Sequence, residues 1–225
     1  MHVFYLRPMA LAYHKDIDPQ TSFALWKIDE QANDLITQLQ LKDHETSYLE
    51  TLINDKRNLH WLSTRVLLRT MLNTQDYIDC QVDEHGKPYL ANFPYFISLS
   101  HSFDYAAVMV SKNKPVGIDI ELIKDKIERI AHKFMNDEEL SFIDPPNRTE
   151  QLYACWCAKE AIYKLQGKKN VSFLHNIRLN PFHYQPVGSI QASLELEDSR
   201  KDFEVQYQKM DGYMIGYVAD DSYAK

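Results

Sequence analysis

Two stretches of this chain repeat one arrangement of side chains. Trp61, Arg65 and Arg69 are spaced i, i+4, i+8, and so are Trp156, Glu160 and Lys164. On a helix such residues lie near one face, so each stretch presents an aromatic ring and two charges together. The first lies within residues 57–73, where Trp61, Leu62, Val66, Leu68, Met71 and Leu72 recur with roughly the 3.6-residue period of an amphipathic helix. The second lies in a helix predicted to start at a Thr149 N-cap, to run to about Leu165 and to stop at Gly167. Each helix is followed by strand-like segments. The pattern predicts an α+β fold and is compatible with two similar αβ halves, 1–115 and 116–225, although the identity between them is too thin to define a repeat by itself.

Aromatic and apolar residues at 23–28 read as an early strand. Helical patterns follow at 31–40 and 42–53. His85-Gly86-Lys87-Pro88 marks a turn. Strands are predicted at 95–99, 105–111 and 116–121, joined by turns so short that antiparallel hairpins are expected. Residues 124–143 read as a polar helix that Asp144-Pro145-Pro146-Asn147 interrupts. Further strands are expected near 190–196, 203–208 and 213–218, with Gly212 in the last turn.

A chain of 225 residues suits one large domain or two small packed halves. It carries 25 basic and 32 acidic residues, a net charge of −7, which argues against a nucleic-acid binder. No window approaches the roughly 20 apolar residues of a spanning helix, so no membrane partner is expected. The N-terminus lacks a basic segment leading an apolar core, so no signal peptide is expected. Three cysteines do not make a disulfide framework, and a reduced cytoplasmic setting is expected. Cys155 and Cys157 form a C-x-C, but inside a helix residues i and i+2 do not face each other, so packing is the better reading than metal binding.

The chemistry lies in two places. Asp119 and Glu121 stand two apart on a predicted strand and share a face, while Ile118 and Ile120 take the opposite one. Two carboxylates side by side repel, and a cation relieves them. Oxygen-only ligands suit a hard ion such as Mg²⁺, which keeps waters and takes phosphate oxygens. A solvated strand face without an ion is the competing reading. On the second helix Glu160 and Lys164 meet at i, i+4. That pair reads either as a third carboxylate and a phosphate-binding cation, or as a surface ion pair contributing about 0.3–0.5 kcal/mol. The two motifs together, in this order, are more specific than either alone.

V-G-I-D-I-E at 116–121 and W-C-A-K-E-A-I-Y-K at 156–164 resemble the two signature motifs of the 4'-phosphopantetheinyl transferase superfamily. The length and two-half layout resemble its surfactin-synthetase-activating type, with both halves on one chain. Gly86-Lys87-Pro88 is similar to the family's G-K-P. Ile97-Ser98-Leu99-Ser100-His101-Ser102 is similar to its S-x-S-H-S, and Arg65 to its first-half arginine. The resemblance covers most of 55–167.

It implies transfer of the phosphopantetheine arm of coenzyme A to a serine of an apo acyl, peptidyl or polyketide carrier protein, with release of 3',5'-ADP, in a cleft between the halves. Asp119, Glu121 and Glu160 are implied to hold Mg²⁺ (Mn²⁺ is the alternative), Glu160 to take the serine proton and Lys164 to stabilise the departing 3',5'-ADP. Lys159 is implied near the phosphates. His101, Lys87 and Arg65 are implied at the 3'-phosphate, with Lys56 and Arg57 as further candidates and Ser100 beside the nucleotide. Ile127, Ile130, Phe134 and Met135 read equally as a carrier-docking strip or as core. A monomer is expected, since one chain already pairs two halves. The competing functions are a catalytically silent coenzyme A-binding protein and another Mg²⁺-dependent enzyme that cleaves a diphosphate.

Overall fold

The computed structural model describes residues 11–52, 55–197 and 199–223. The first ten residues and the end of the helix expected at 42–53 lie outside the described residues. Among the described residues the order is β1 (Leu11–Asp18), β2 (Thr21–Lys27), α1 (Ala32–Ile36), α2 (Asp43–Thr51), α3 (Asp55–Leu72), β3 (Cys80–Val82), β4 (Pro88–Leu90), β5 (Phe96–Ser102), β6 (Tyr105–Ser111) and β7 (Val116–Leu122). Then come α4 (Lys126–Ile130), α5 (Asp137–Ser141), α6 (Arg148–Gln166), β8 (Ile177–Leu179), β9 (Val187–Leu196), β10 (Ser199–Met210) and β11 (Tyr213–Ala219). The fold is α+β. No helix among the described residues is long and apolar enough to cross a membrane.

A four-stranded antiparallel sheet runs β1-β2-β6-β5, and a five-stranded one runs β7-β11-β10-β9-β8. Each sheet carries a long helix on its outer face. Leu62, Val66, Leu67 and Leu68 of α3 pack on Ala24, Trp26, Ala106 and Val108 of the first sheet. Leu152, Ala154, Ala158, Ala161 and Ile162 of α6 pack on Val205, Met214 and Val218 of the second. The inner faces meet in a third apolar cluster that includes Phe23, Leu25, Met109, Ile118, Ile120 and Ile215. Alternation along β7 assigns its sides as the sequence predicted: Ile118 and Ile120 are fully buried between the sheets, and the odd-numbered residues face α6.

Strands β5 and β6 form the expected hairpin, but β6 and β7 do not. Beyond the turn at 112–115 the chain leaves the first sheet, and β7 pairs with β11 at the far end of the sequence. The polar helix expected at 124–143 is broken into α4, a 3₁₀ turn at Ala131–Lys133 and α5. Asn136 is extended and caps α5 by accepting from Glu139 N–H at 2.8 Å, so the helix restarts there. Ile127, Phe134 and Met135 are core and Ile130 packs half-buried against it, which favours the core reading of this strip. Thr149 is not the cap of α6: the helix begins at Arg148, and the Thr149 hydroxyl donates to Glu128 at 2.7 Å. Gly167 ends α6 with φ of 76°, as expected.

Gly117 sets how closely β7 approaches α6. A Cβ there would stand 1.9 Å from Ala161 O, which is backbone and cannot yield. Gly117→Ala is therefore expected to push strand and helix apart at a cost of at least about 1–3 kcal/mol. A urea midpoint within error of wild type would contradict this.

Candidate active site

Asp119 lies in the seam between β7, β5 and α6 and is 4% exposed. The Lys164 ammonium, one turn from the end of α6, donates to Asp119 Oδ1 at 2.7 Å, to Ser100 Oγ at 2.8 Å and to Ile118 O at 3.2 Å. Ser100 in turn donates to Asp119 Oδ1 at 2.8 Å. Lys164 thus ties the outer helix of one sheet to the edge of the other. The second oxygen, Asp119 Oδ2, is buried with no hydrogen-bond partner. A buried carboxylate oxygen left unmatched is costly and is the position a cation would satisfy.

Glu121 and Glu160 share this environment. Burial and then the charge of Asp119 raise the Glu121 carboxyl above the ordinary carboxylate range, while Ser102, donating to Oε2 at 3.0 Å, opposes the shift. Burial and then Asp119 push Glu160 up to about 7, with Lys164 opposing and Glu121 reinforcing. Burial and the charge of Asp119 thus raise both glutamates, and carboxylates gathered in this way are hard oxygen donors of the kind a divalent cation takes. The side chains as placed do not close into a ligand cage: among the described residues no three His, Cys, Asp or Glu side chains converge closely enough to hold an ion. Lys164 supplies the compensating charge on Asp119. With the unmatched Asp119 Oδ2, the donor set has the chemistry that a divalent cation takes.

The linkage has a sign that can be measured. Glu160 has a folded pKa above its unfolded one, so its contribution to stability is complete below about pH 4.5 and is lost as pH rises through 7. His101 runs the other way, being pushed down to about 4, so it destabilises as pH falls from 6.5. A comparison of variants separates them. In EDTA, Glu160→Gln is expected to melt above wild type, by a margin that widens between pH 5 and pH 8. Saturating Mg²⁺ is expected to reverse the order. Equal melting curves across that range would mean that Glu160 is not held above the ordinary carboxylate range.

The basic residues do not all gather at this seam. His101 stacks on His60 of α3, with ring centroids 4.2 Å apart. Although one edge of its ring is open, desolvation, then His60 and Lys164, disfavour its charged form. His60 Nε2 lies 2.7 Å from Phe103 O, and the Lys56 and Lys124 ammoniums sit 4.5 Å and 3.5 Å from the Phe103 ring. His101 thus marks a basic rim that local sequence reading found only in part. His60 and Lys124 are brought in by tertiary packing, and no local motif marked them. Arg57 is exposed on the first turns of α3. Arg65 turns away from the seam: its guanidinium lies 4.6 Å from the Trp61 ring and lines a hollow with Leu41, Glu45 and Tyr77. Lys87 reaches the end of α6 and donates to Leu165 O at 2.5 Å, beside a cavity of about 210 Å³ that Ser98, Tyr163 and Lys164 also line. Ser100, expected beside the nucleotide, has its hydroxyl engaged by Asp119 and Lys164 instead.

Lys159 requires a correction. It is wholly buried in the core of the second half. Its ammonium donates to Glu139 at 2.8 Å and to the carbonyls of Phe134, Phe173 and Ile177 at 2.7–2.9 Å. Glu139 completes the knot by accepting from Leu179 N–H at 2.9 Å. With its donors filled inside the second half, Lys159 holds the fold and has none left for a phosphate. The three cysteines are free, and Cys155 and Cys157 are buried in α6, as the packing reading held.

Residues 115–218 match the family model of the 4'-phosphopantetheinyl transferase superfamily. The chain is 28% identical over 164 residues to the 4'-phosphopantetheinyl transferase Sfp of Bacillus subtilis strain 168, covering 68% of this chain and 70% of that one. It is 36% identical over 124 residues to another 4'-phosphopantetheinyl transferase of Bacillus subtilis, covering 53% of each. With the 4'-phosphopantetheinyl transferase AcpT of Escherichia coli K12 the identity is 32% over 117 residues, 49% of this chain and 59% of that one. The match thus spans between about half and seven-tenths of these relatives' lengths. It takes in Asp119, Glu121, Glu160 and Lys164, and the seam they form is where both signature motifs meet. Over these residues the chain is similar to the 4'-phosphopantetheinyl transferase superfamily.

Proposed function

We propose that this protein transfers the 4'-phosphopantetheine arm of coenzyme A to a serine of an apo carrier protein, with Mg²⁺ or Mn²⁺ held by Asp119, Glu121 and Glu160. The observation that carries the reading is the buried Asp119, bonded to Lys164 through one oxygen and unmatched at the other, beside a Glu160 whose pKa is about 7. The relatives' names support the transferase reading.

The ion supplies charge neutralisation at the pyrophosphate. The chain's own groups do the rest. Glu160, with a pKa near the working pH, is suited to accept the proton of the attacking serine hydroxyl. The serine oxygen forms a bond to the phosphorus that bears the pantetheine arm. The bond to the neighbouring bridging oxygen breaks, and 3',5'-ADP leaves with the electron pair. Lys164, already placed by Asp119 and Ser100, offers its positive charge to that leaving group. His101, neutral in the free protein, becomes more basic when a phosphate dianion approaches and so binds the 3'-phosphate as its dianion. Lys56, His60 and Lys124 lie on the same rim and extend it. Placement and electrostatics supply the rate without a covalent enzyme intermediate. We read the chain as a monomer in a reducing cytoplasm, with both halves needed for the seam.

The test is the intact mass of an apo carrier protein after incubation with this protein, coenzyme A and Mg²⁺. The expected gain is one phosphopantetheinyl group per carrier. Tight coenzyme A binding with no gain on acyl, peptidyl or polyketide carriers would favour a silent binder. Loss of coenzyme A to hydrolysis, with no carrier modified, would favour a diphosphate-cleaving enzyme.

A further inference from the structure

We propose that Ser98, Ser100 and Ser102 form a hydroxyl ladder that docks the edge of one sheet against the edge of the other and thereby aims Asp119 and Glu121 into the seam. Ser102 is then a positioning residue for Glu121.

The need for such a device follows from the topology. β7 is the outermost strand of the five-stranded sheet, and β5 is the outermost strand of the four-stranded one. In an antiparallel pair only alternate residues bond to the neighbouring strand, so β7 pairs with β11 on one side and leaves a row of N–H groups on the other. A buried row of that kind must find acceptors. Among the described residues no strand supplies them. The N–H groups of Ile118, Ile120 and Leu122 donate instead to the side-chain oxygens of Ser98, Ser100 and Ser102, at 3.0, 3.3 and 3.1 Å. The offset is constant at 20 residues, since each successive serine meets the next alternate amide. Side chains at i, i+2 and i+4 line one face of a strand, which is why the serines alternate. All three serines are buried.

Each hydroxyl that accepts from the β7 backbone still has a proton to give. Ser100 gives it to Asp119 Oδ1 at 2.8 Å, and Ser102 gives it to Glu121 Oε2 at 3.0 Å. Ser100 also accepts from Lys164 at 2.8 Å. With two acceptor positions and one donor all in use, its hydroxyl is saturated and its proton is fixed on Asp119. One carboxylate oxygen of Asp119 is thereby held in place, and the other, Oδ2, is buried without a partner. Ser100 and Ser102 therefore do two jobs with one group each: they close the sheet edge, as Ser98 does, and they orient the carboxylates that stand on it. Hydroxyls are needed for this. An alanine leaves both the amide and the carboxylate unmatched, while a threonine keeps the oxygen and suits a strand.

The inference rests on the metal-binding reading of the carboxylates, and two measurements keep the two apart. Amide hydrogen exchange of Leu122 reports the docking whether or not the protein binds an ion. Mn²⁺ affinity, read by electron paramagnetic resonance of the free ion, reports the aim of Glu121. Ser102→Ala is expected to speed exchange at Leu122 by about tenfold or more and to weaken Mn²⁺ binding by about 10-fold to 100-fold. Ser102→Thr is expected to retain both. In a Glu121→Gln background, Ser102→Ala is expected to change Mn²⁺ affinity no further, because the serine acts through that carboxylate. Unchanged exchange at Leu122 would overturn the ladder. Weaker binding that persists undiminished in the Glu121→Gln background would overturn the positioning role. Wild-type protein that takes up no Mn²⁺ would overturn the metal reading and with it the aiming of Glu121, while the exchange result would still judge the docking.

Discussion

Lys159→Ala is expected to cost about 3–5 kcal/mol of folding stability and to leave the transfer chemistry of the surviving folded protein intact. At the usual sensitivity for a chain of this size, that lowers the melting temperature by roughly 6–20 °C. The reason is the partner left behind. Glu139 is 2% exposed and would remain charged in the core with its counter-ion gone. Three carbonyls, of Phe134, Phe173 and Ile177, would lose their donor in the same step. Lys159→Met combined with Glu139→Gln removes the unpaired charge and keeps an acceptor for Leu179 N–H, so it is expected to regain part of the loss. Calorimetry of the wild type, the single and the double variant measures this. Steady-state kinetics below the variant's melting point separates the two roles. An unchanged KM for coenzyme A is expected, and a KM raised tenfold with stability untouched would return Lys159 to the phosphates.

Glu160→Gln is expected to have the opposite signature. Its kcat should fall by about 10²–10⁴. The metal-free protein should become more stable above neutral pH, because a carboxyl forced to titrate near 7 is gone. Activity is thus bought with local electrostatic stress. Burial and the charge of Asp119 raise both Glu121 and Glu160, and the proposed ion would relieve that stress. A Glu160→Gln variant that kept a tenth or more of wild-type kcat would remove it from the role of base.

Much of this was legible in the chain. The alternation of Ile118 and Ile120 with Asp119 and Glu121 fixes which side of β7 is core, since a strand has a period of two whatever it pairs with. The spacing of Glu160 and Lys164, and the stop at Gly167, are likewise local properties of a helix. Those residues carry the proposed site, and they were readable because backbone geometry alone sets which neighbours share a face.

Other features depend on partners far along the chain. Nothing within 112–122 says that β7 abandons the hairpin and pairs with residues 213–219, because pairing is chosen by which apolar faces can be buried together. Lys159 and Glu160 are adjacent, and the helical period puts them on different faces. The sequence could not say which faces the core and which the seam, and packing of α6 decided it. His60 meets His101, and the serines meet the β7 edge, only after two sheets have closed on each other. The sequence by itself determined the elements, their faces and the two motifs, because these follow from short-range periodicity. Only the tertiary structure decided the strand partners, the burial of Lys159 and the hydrogen bonds that orient Asp119 and Glu121, because those free energies arise from contacts between segments that local geometry does not connect.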